Sequence, residues 1–407
     1  MLRFNGLAIS CELQPPFISP QTPHKITTEL RARIDTMAGT TAAAAAAAAE
    51  TEERRVCVTG GNGFIGSWLV RALLEKGYAV TATIQPGADA AHLRFLPGGG
   101  GDPSRLLLIH EADLLDAPAL AAAVAGCRAG VFHVASPCTL EDPADPQREL
   151  VLPAVQGTLN VLEAARAAGV RRVVITSSIS AMVPNPRWAR DHPGRPVDEE
   201  CWTDLDYCKA RKVCMSGVVD LSHGLSFIWY STAGEDQKWY PVSKTMAEKA
   251  AWEYAEKHKL DVVTINPSTC LGPLLQPGLN ASSAVLQQLL QGSKDTHEYH
   301  WLGCVHVCDV AAAQVLLLET PNASGRYLCT NGIYQFKDFA ETVAKLCPGY
   351  NVESFTEETQ PGLVACKDAA KKLIDLGLVF RPREEAIKDA EASLNAKGFL
   401  GQHQLQI

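Results

Sequence analysis

Apolar and polar positions fall into a regular pattern from Val56 onward. Val56–Thr59 is a short apolar run, and the following stretch, Phe64–Lys76, has apolar residues at 65, 68, 69, 72 and 73. That spacing predicts an amphipathic helix, with Gly77 as its stop signal. Tyr78–Ile84, Leu106–Ile109, Gly130–Val134, Val173–Thr176 and Asp261–Asn266 are short apolar runs, predicted as strands. Ala117–Val124, Leu152–Ala168 and a stretch from Tyr240 to about Lys257 read as helices. Strand and helix in alternation imply an α/β fold, a parallel sheet covered on both faces. After about residue 268 the pattern loosens, which predicts a smaller C-terminal lobe of mixed helix and loop.

Residues 1–55 lack this periodicity. Pro15, Pro16, Pro20 and Pro23 punctuate the start, and Ala42 to Ala49 is an uninterrupted alanine run. The composition reads as a flexible leader. Met37 is an alternative start, and the arginines Arg3, Arg31 and Arg33 with few acids leave a transit peptide open. The expected organisation is a leader over 1–55, a dinucleotide-binding domain over 56–268 and a substrate-binding lobe over 269–400.

Composition narrows the function. The 407 residues are 46% hydrophobic, enough for a large core. A net charge of −8 disfavours nucleic acid as a partner. Thirteen cysteines without a repeat read as reduced thiols in a reducing compartment, the cytoplasm. No run approaches the roughly 18 apolar residues of a membrane span. Oligomeric state is not legible.

The glycines carry the first chemical signal. Thr59-Gly60-Gly61-Asn62-Gly63-Phe64-Ile65-Gly66 joins a predicted strand to a predicted helix. Gly60 allows the tight turn, Gly63 lets the backbone approach a pyrophosphate, and Gly66 lets the helix pack closely on the sheet. The helix N-terminus offers N–H groups and a positive dipole end to phosphates. This is the Rossmann fingerprint in its required context. The second strand ends in Gln85, neither the acid that reads a ribose hydroxyl nor an arginine. The missing acid favours NADP over NAD, with Arg94 the nearest downstream cation. Asp113 is placed at the adenine or in a loop cap.

Tyr240 and Lys244 are four apart, on one face of the predicted helix. An ammonium beside a phenol lowers the phenol pKa from about 10. Such a tyrosine can protonate a carbonyl oxygen as hydride arrives from a nicotinamide. Thr176-Ser177-Ser178 ends a strand in three hydroxyls, of which Ser178 is the choice to polarise that carbonyl. Cys304, His306 and Cys308 alternate, but without a second Cys/His pair at structural-zinc spacing no metal is assigned.

With these residues the chain resembles the extended short-chain dehydrogenase/reductases, in the plant branch of dihydroflavonol and cinnamoyl-CoA reductases. Further matching pieces are Val131–Pro137, Gly157–Leu162, Asp198-Glu199-Glu200-Cys201-Trp202, Trp239–Lys244, Asn266-Pro267-Ser268 and Val305-His306-Val307. The resemblance implies a Ser178–Tyr240–Lys244 triad and NADPH. It implies reduction of a phenylpropanoid- or flavonoid-type ketone, aldehyde or CoA thioester, an aromatic small molecule. It also implies cofactor contacts from Asn62, Phe64, Ile65, Leu114, Val134, Ala135, Ser136, Pro267 and Ser268, and a proton-relay role for Asn160. Cinnamoyl-CoA reductases carry Asn-Trp-Tyr-Cys-Tyr-Gly-Lys where this chain has Lys238-Trp239-Tyr240-Pro241-Val242-Ser243-Lys244, a difference that bears on thioester reduction. A sugar-nucleotide epimerase or dehydratase shares the same motifs and stays open.

Relatives space the serine and tyrosine more closely, and Val213–Gln237 accounts for most of the excess. It begins with Val, whose codons start GT, and ends with Gln, one of whose codons is CAG. Those are intron ends in frame, so the segment reads as a retained intron, with a surface loop as the alternative. If translated, it threatens the chemistry beside Tyr240 and leaves cofactor binding intact.

Overall fold

The computed structural model describes residues 53–96, 107–137, 144–210, 239–298 and 300–400. Nearly all of the expected leader, and the whole of Val213–Gln237, lie outside the described residues.

The main sheet has seven parallel strands: β1 (Arg55–Thr59), β2 (Ala79–Ile84), β3 (Leu107–Glu111), β4 (Gly130–His133), β5 (Val173–Thr176), β6 (Val262–Pro267) and β9 (Gly325–Cys329). Their spatial order is β3-β2-β1-β4-β5-β6-β9. A separate parallel pair joins β7 (Thr269–Leu271) to β8 (Cys304–His306). The helices used below are α1 (Phe64–Glu75), α2 (Ala117–Val124), α3 (Leu152–Ala167), α4 (Trp239–His258), α5 (Ala281–Leu290), α6 (Val307–Glu319), α7 (Phe336–Leu346) and α8 (Arg383–Ala396).

Strand alternation explains the two-faced burial. Val56 and Val58 of β1 join one apolar cluster, with Leu69, Val70 and Leu73 of α1. Cys57, between them, joins a second cluster with Leu120, Val131, Val161 and Leu162. Phe132, Val174, Val263 and Ile265 fall on the first side, and Val131, Val173, Ile175 and Val262 on the second. Successive side chains point to opposite faces, so a strand covered on both faces reads as a continuous apolar run. Burying a leucine such as Leu69 contributes on the order of 2 kcal/mol.

Predicted and observed strands differ mainly at their ends. Leu106–Ile109 becomes Leu107–Glu111, because pairing with β2 continues to Ile84 opposite Glu111. Asp261–Asn266 shifts to Val262–Pro267. The short pair β7 and β8 and one strand of the main sheet were absent from the apolar pattern. Gly325-Arg326-Tyr327-Leu328-Cys329 returns beside β6 and extends the sheet, although it lies in the weakly patterned half. A glycine and a buried arginine interrupt its hydrophobic signal.

Strand order reverses around β1, which has β2 on one side and β4 on the other. In such sheets the crevice at the carboxyl ends of the strands, at that reversal, receives ligands. The glycine turn follows β1 there. No helix among the described residues is long and apolar enough to cross a membrane.

Candidate active site

A cleft of about 740 Å³ opens at the reversal. Gly60, Asn62, Gly63, Phe64, Ile65 and Gly66 form one part of its wall, and Gln85, Asp113 and Leu114 another. Val134, Ala135 and Ser136 continue it to Thr176, Ser177, Tyr240 and Lys244. Most of the expected site residues therefore share one cavity.

Sterics explain the turn. Gly60 has φ +66°, and a Cβ there would sit 2.9 Å from Ala135 Cα. A Cβ on Gly66 would lie 2.1 Å from the Gly60 carbonyl oxygen. Gly66 thus packs on the turn itself, whereas Gly61 is the residue that packs on the sheet, with a Cβ 2.7 Å from Ala82 Cβ. No side chain caps the start of α1 and no acid occupies its first turn, so its positive end faces the cleft.

At the other end α4 presents Tyr240 and Lys244 to the cleft. Pro241 is tolerated because the first-turn N–H groups of a helix have no partner within it. The Lys244 side chain is nearly enclosed, and its Nζ donates to the Thr176 carbonyl at 3.1 Å. The three strand-end hydroxyls separate by their partners. Thr176 Oγ1 donates to Gln314 Oε1, and Ser177 Oγ donates to Glu248 Oε2 at 2.5 Å. Ser178 Oγ instead accepts the Ser180 N–H at 3.1 Å, so its own proton is not used by that bond.

His133 is held neutral. Thr59 Oγ1 accepts the N–H groups of Val134 and Ala135, so its proton goes to His133 Nδ1 at 2.9 Å. Thr158 Oγ1 donates to the Ala154 carbonyl and accepts from His133 Nε2 at 3.0 Å. Burial, with the nearby Lys244 charge, pushes the His133 pKa down to about 3. Both nitrogens are committed, and the ring fixes the backbone at Val134–Ala135 that lines the cleft.

Among the described residues lining the cleft, Lys244 is the one lysine or arginine, and Asp113 and Glu149 are the acids. Arg94 is exposed in the turn Ala91–Phe95 and does not line it. Asp113 both lines the cleft and accepts the Leu115 N–H at 2.8 Å, a loop-capping contact. Ser178, Pro267 and Ser268 are not part of the cleft wall. Ser178 lies directly beyond Ser177, and Ser268 is turned to Thr330, 3.0 Å between hydroxyls. Asn160 donates to the Leu114 carbonyl and lies off the cleft, bracing its wall.

Sequence reasoning missed several contributors. The start of α5, Asn280–Ser282, faces the same cleft, so a second helix N-terminus points at it. Asn280 Oδ1 is buried without a hydrogen-bond partner among the described residues. Thr59 and Thr158, which orient His133, carried no signal beyond their hydroxyls. A second pocket of about 360 Å³ lies past the turn that follows Ser178, lined by Pro184, Trp188, Val197, Tyr207, Trp301 and Leu363 among others. The Trp188 indole N–H is buried there without a hydrogen-bond partner among the described residues. The weakly patterned 180–210 and 270–305 loops were expected to build the substrate pocket, and they supply most of this lining; the 360–364 segment was not expected.

The cysteine–histidine alternation does not form a cluster. β8 ends at His306 and Cys308 is helical, its N–H donated to His306 Nδ1. Cys304 instead meets the Tyr334 hydroxyl. His306, Glu385 and Asp389 do converge. With Nδ1 accepting, the neutral ring carries its proton on Nε2, facing Asp389 at 3.3 Å, and offers no lone pair there for a metal.

Sheet order, glycine turn and cleft define a Rossmann-type protein with a nucleotide-sized crevice at its strand ends. The chain belongs to the NAD dependent epimerase/dehydratase family, whose model matches residues 56–218 and 230–330. The unmatched stretch lies within Val213–Gln237. The chain is 42% identical to cinnamoyl-CoA reductase 1 of Petunia hybrida over 348 residues, covering 85% of this chain and 93% of that protein. Among solved structures it resembles vestitone reductase from alfalfa (Medicago sativa), with TM-score 0.65, 32% identity, and 85% and 99% of the two chains covered. It also resembles Gre2 of Candida albicans in complex with NADPH, with TM-score 0.63, 25% identity, and 84% and 99% covered.

Proposed function

We propose that the protein reduces a carbonyl group of an aromatic, phenylpropanoid- or flavonoid-type metabolite, with NADPH as cofactor. The observation that carries this reading is the single cleft running from the glycine turn to Tyr240 and Lys244. The glycine cradle, where a side chain on Gly60 or Gly66 would collide, and two helix N-termini fit a pyrophosphate. NADPH, when bound, supplies hydride. Gly60 to Gly66, Gln85, Asp113, Leu114 and Val134 to Ser136 are the residues that would hold it. The names of these relatives, two plant reductases and an NADPH complex, support the same class.

In this reading Tyr240 gives its phenolic proton to the substrate oxygen as negative charge develops there. Lys244, anchored on the Thr176 carbonyl, stabilises the phenolate left behind. Ser178 donates a hydrogen bond to the same oxygen. Its neighbours are spoken for by Gln314 and Glu248, which supports Ser178 over Thr176 and Ser177. His133 is no base, because both ring nitrogens are engaged. The second pocket, with aromatic and proline walls and one unpartnered indole N–H, suits the aromatic part of the substrate.

The test uses purified protein with and without residues 213–237, NADPH, and three substrate classes: aromatic aldehydes, aromatic thioesters and flavanonols. NADPH oxidation matched by alcohol formation is expected, with both forms binding NADPH and the shorter one turning over faster. No turnover by either form with any class would refute the reading.

A further inference from the structure

Helix α4 and strand β9 each contribute a buried charged residue to one contact. Arg326 Nε donates to Glu248 Oε1 at 2.7 Å, with side chains 8% and 0% exposed. Glu248 stands one turn beyond Lys244 and two turns beyond Tyr240 on the same helix face. Its carboxylate also accepts from Ser177 Oγ at 2.5 Å, Thr264 Oγ1 at 3.0 Å and Asn266 Nδ2 at 2.9 Å. The same Asn266 amide donates its other hydrogen to the Ser178 carbonyl at 3.0 Å. Arg326 reaches the other way. Its Nη1 donates to the carbonyls of Glu199 and Cys201, both at 2.7 Å, and its Nη2 to that of Ala181 at 3.2 Å. The guanidinium lies 3.8 Å from the Trp202 ring centroid.

A buried ion pair is a poor source of net stability, because desolvating both charges offsets their attraction. What it supplies is direction. A guanidinium donates along a rigid planar fork, and a carboxylate accepts along fixed lone pairs. Here those directions join four pieces: the helix of Tyr240 and Lys244, the strand end of Ser177 and Ser178, the turn Ile179–Ala181, and the loop Glu199–Trp202. Ser178 is then held at both ends, its carbonyl by Asn266 and its hydroxyl by the Ser180 N–H.

We propose that Glu248 and Arg326 are positioning residues, whose buried pair sets Ser178 against Tyr240 and Lys244 and ties both to the Glu199–Trp202 loop. The proposal rests on the role given to Ser178 above. Neither residue touches the cofactor cleft, so each acts through others.

Two variants of the full chain test it. Arg326→Lys keeps a charge beside Glu248 but loses the fork. Glu248→Gln combined with Arg326→Gln removes both charges and leaves none unpaired. NADPH affinity within about threefold of wild type and kcat lower by about thirtyfold or more, with substrate KM little changed, are expected, as for a reacting group displaced by about 1 Å. Amide exchange is read on the same variants. It should quicken over 177–183 and 199–203 and stay unchanged over 55–75. A folded variant with kcat within twofold of wild type overturns the proposal, as does exchange that quickens uniformly or not at all there. Failure of both variants to fold assigns the pair to the fold itself and also overturns it. If wild-type protein reduces none of the three substrate classes, the functional reading falls, and the exchange pattern alone decides the positioning claim.

Discussion

The two ends of the cleft are built in different ways. The glycine end is built on one continuous stretch, Thr59 to Gly66, in which a side chain on Gly60, Gly61 or Gly66 would collide with its neighbours. The reaction end assembles Thr176–Ser178, Tyr240 and Lys244 from separate elements, and strands β6 and β9 brace it through Asn266 and Arg326, which both meet Glu248 of α4. A local motif survives rearrangement elsewhere in the chain. An assembled site depends on every element that meets there. A change in one such element should therefore alter turnover more than cofactor binding.

The largest expected effect separates the ends cleanly. Tyr240→Phe should lower turnover on the order of a thousandfold by removing the proton donor, while NADPH affinity stays within about twofold. Fluorescence titration and steady-state rates read the two quantities; turnover near wild type would dissolve the distinction. Gly66→Ala does the reverse. A methyl aimed at the Gly60 carbonyl forces the turn open and should weaken NADPH binding on the order of a hundredfold. Undiminished affinity would show that the turn is not the phosphate cradle.

A smaller change sharpens the glycine end. Gln85→Arg adds a cation at the end of β2, and a charge-assisted hydrogen bond should tighten NADPH about tenfold. Binding of NADH should barely move. Equal gains for both cofactors would place the ribose phosphate elsewhere.

The smallest effect concerns His133 and acid. Its folded pKa of about 3 lies below the unfolded value of about 6.5. Between those values the unfolded chain binds a proton that the folded chain refuses. Stability should therefore fall as pH drops from about 6.5 toward 3, by about 1.4 kcal/mol per pH unit from this residue. His133→Gln should remove that slope in urea unfolding at pH 7 and pH 5. An unaltered slope would mean that the buried ring does take up a proton.

The legibility of each feature follows from its physics. β1, α1 and α2 were visible because strand alternation and helical spacing are local periodicities. Tyr240 and Lys244 were visible because their relation is one helical turn. β9 was not, because Gly325 and Arg326 break its apolar run and its pairing with β6 is a long-range event. The role of Gly66 was assigned to the wrong neighbour, since only the folded turn shows which atoms a Cβ would meet. Glu248 sits one turn beyond Lys244 and reads in sequence like any helical glutamate on a solvated face.

The sequence alone determined the strand–helix alternation, the glycine turn and the tyrosine–lysine pair, because each depends on residues within a few positions of one another. Tertiary structure decided which of three adjacent hydroxyls donate to buried side chains and which accepts instead, and that His133 stays neutral. It also showed that a glutamate and an arginine far apart in the chain share one buried contact. Those outcomes depend on which groups meet after the chain has closed, since burial and partners set how a polar atom is used.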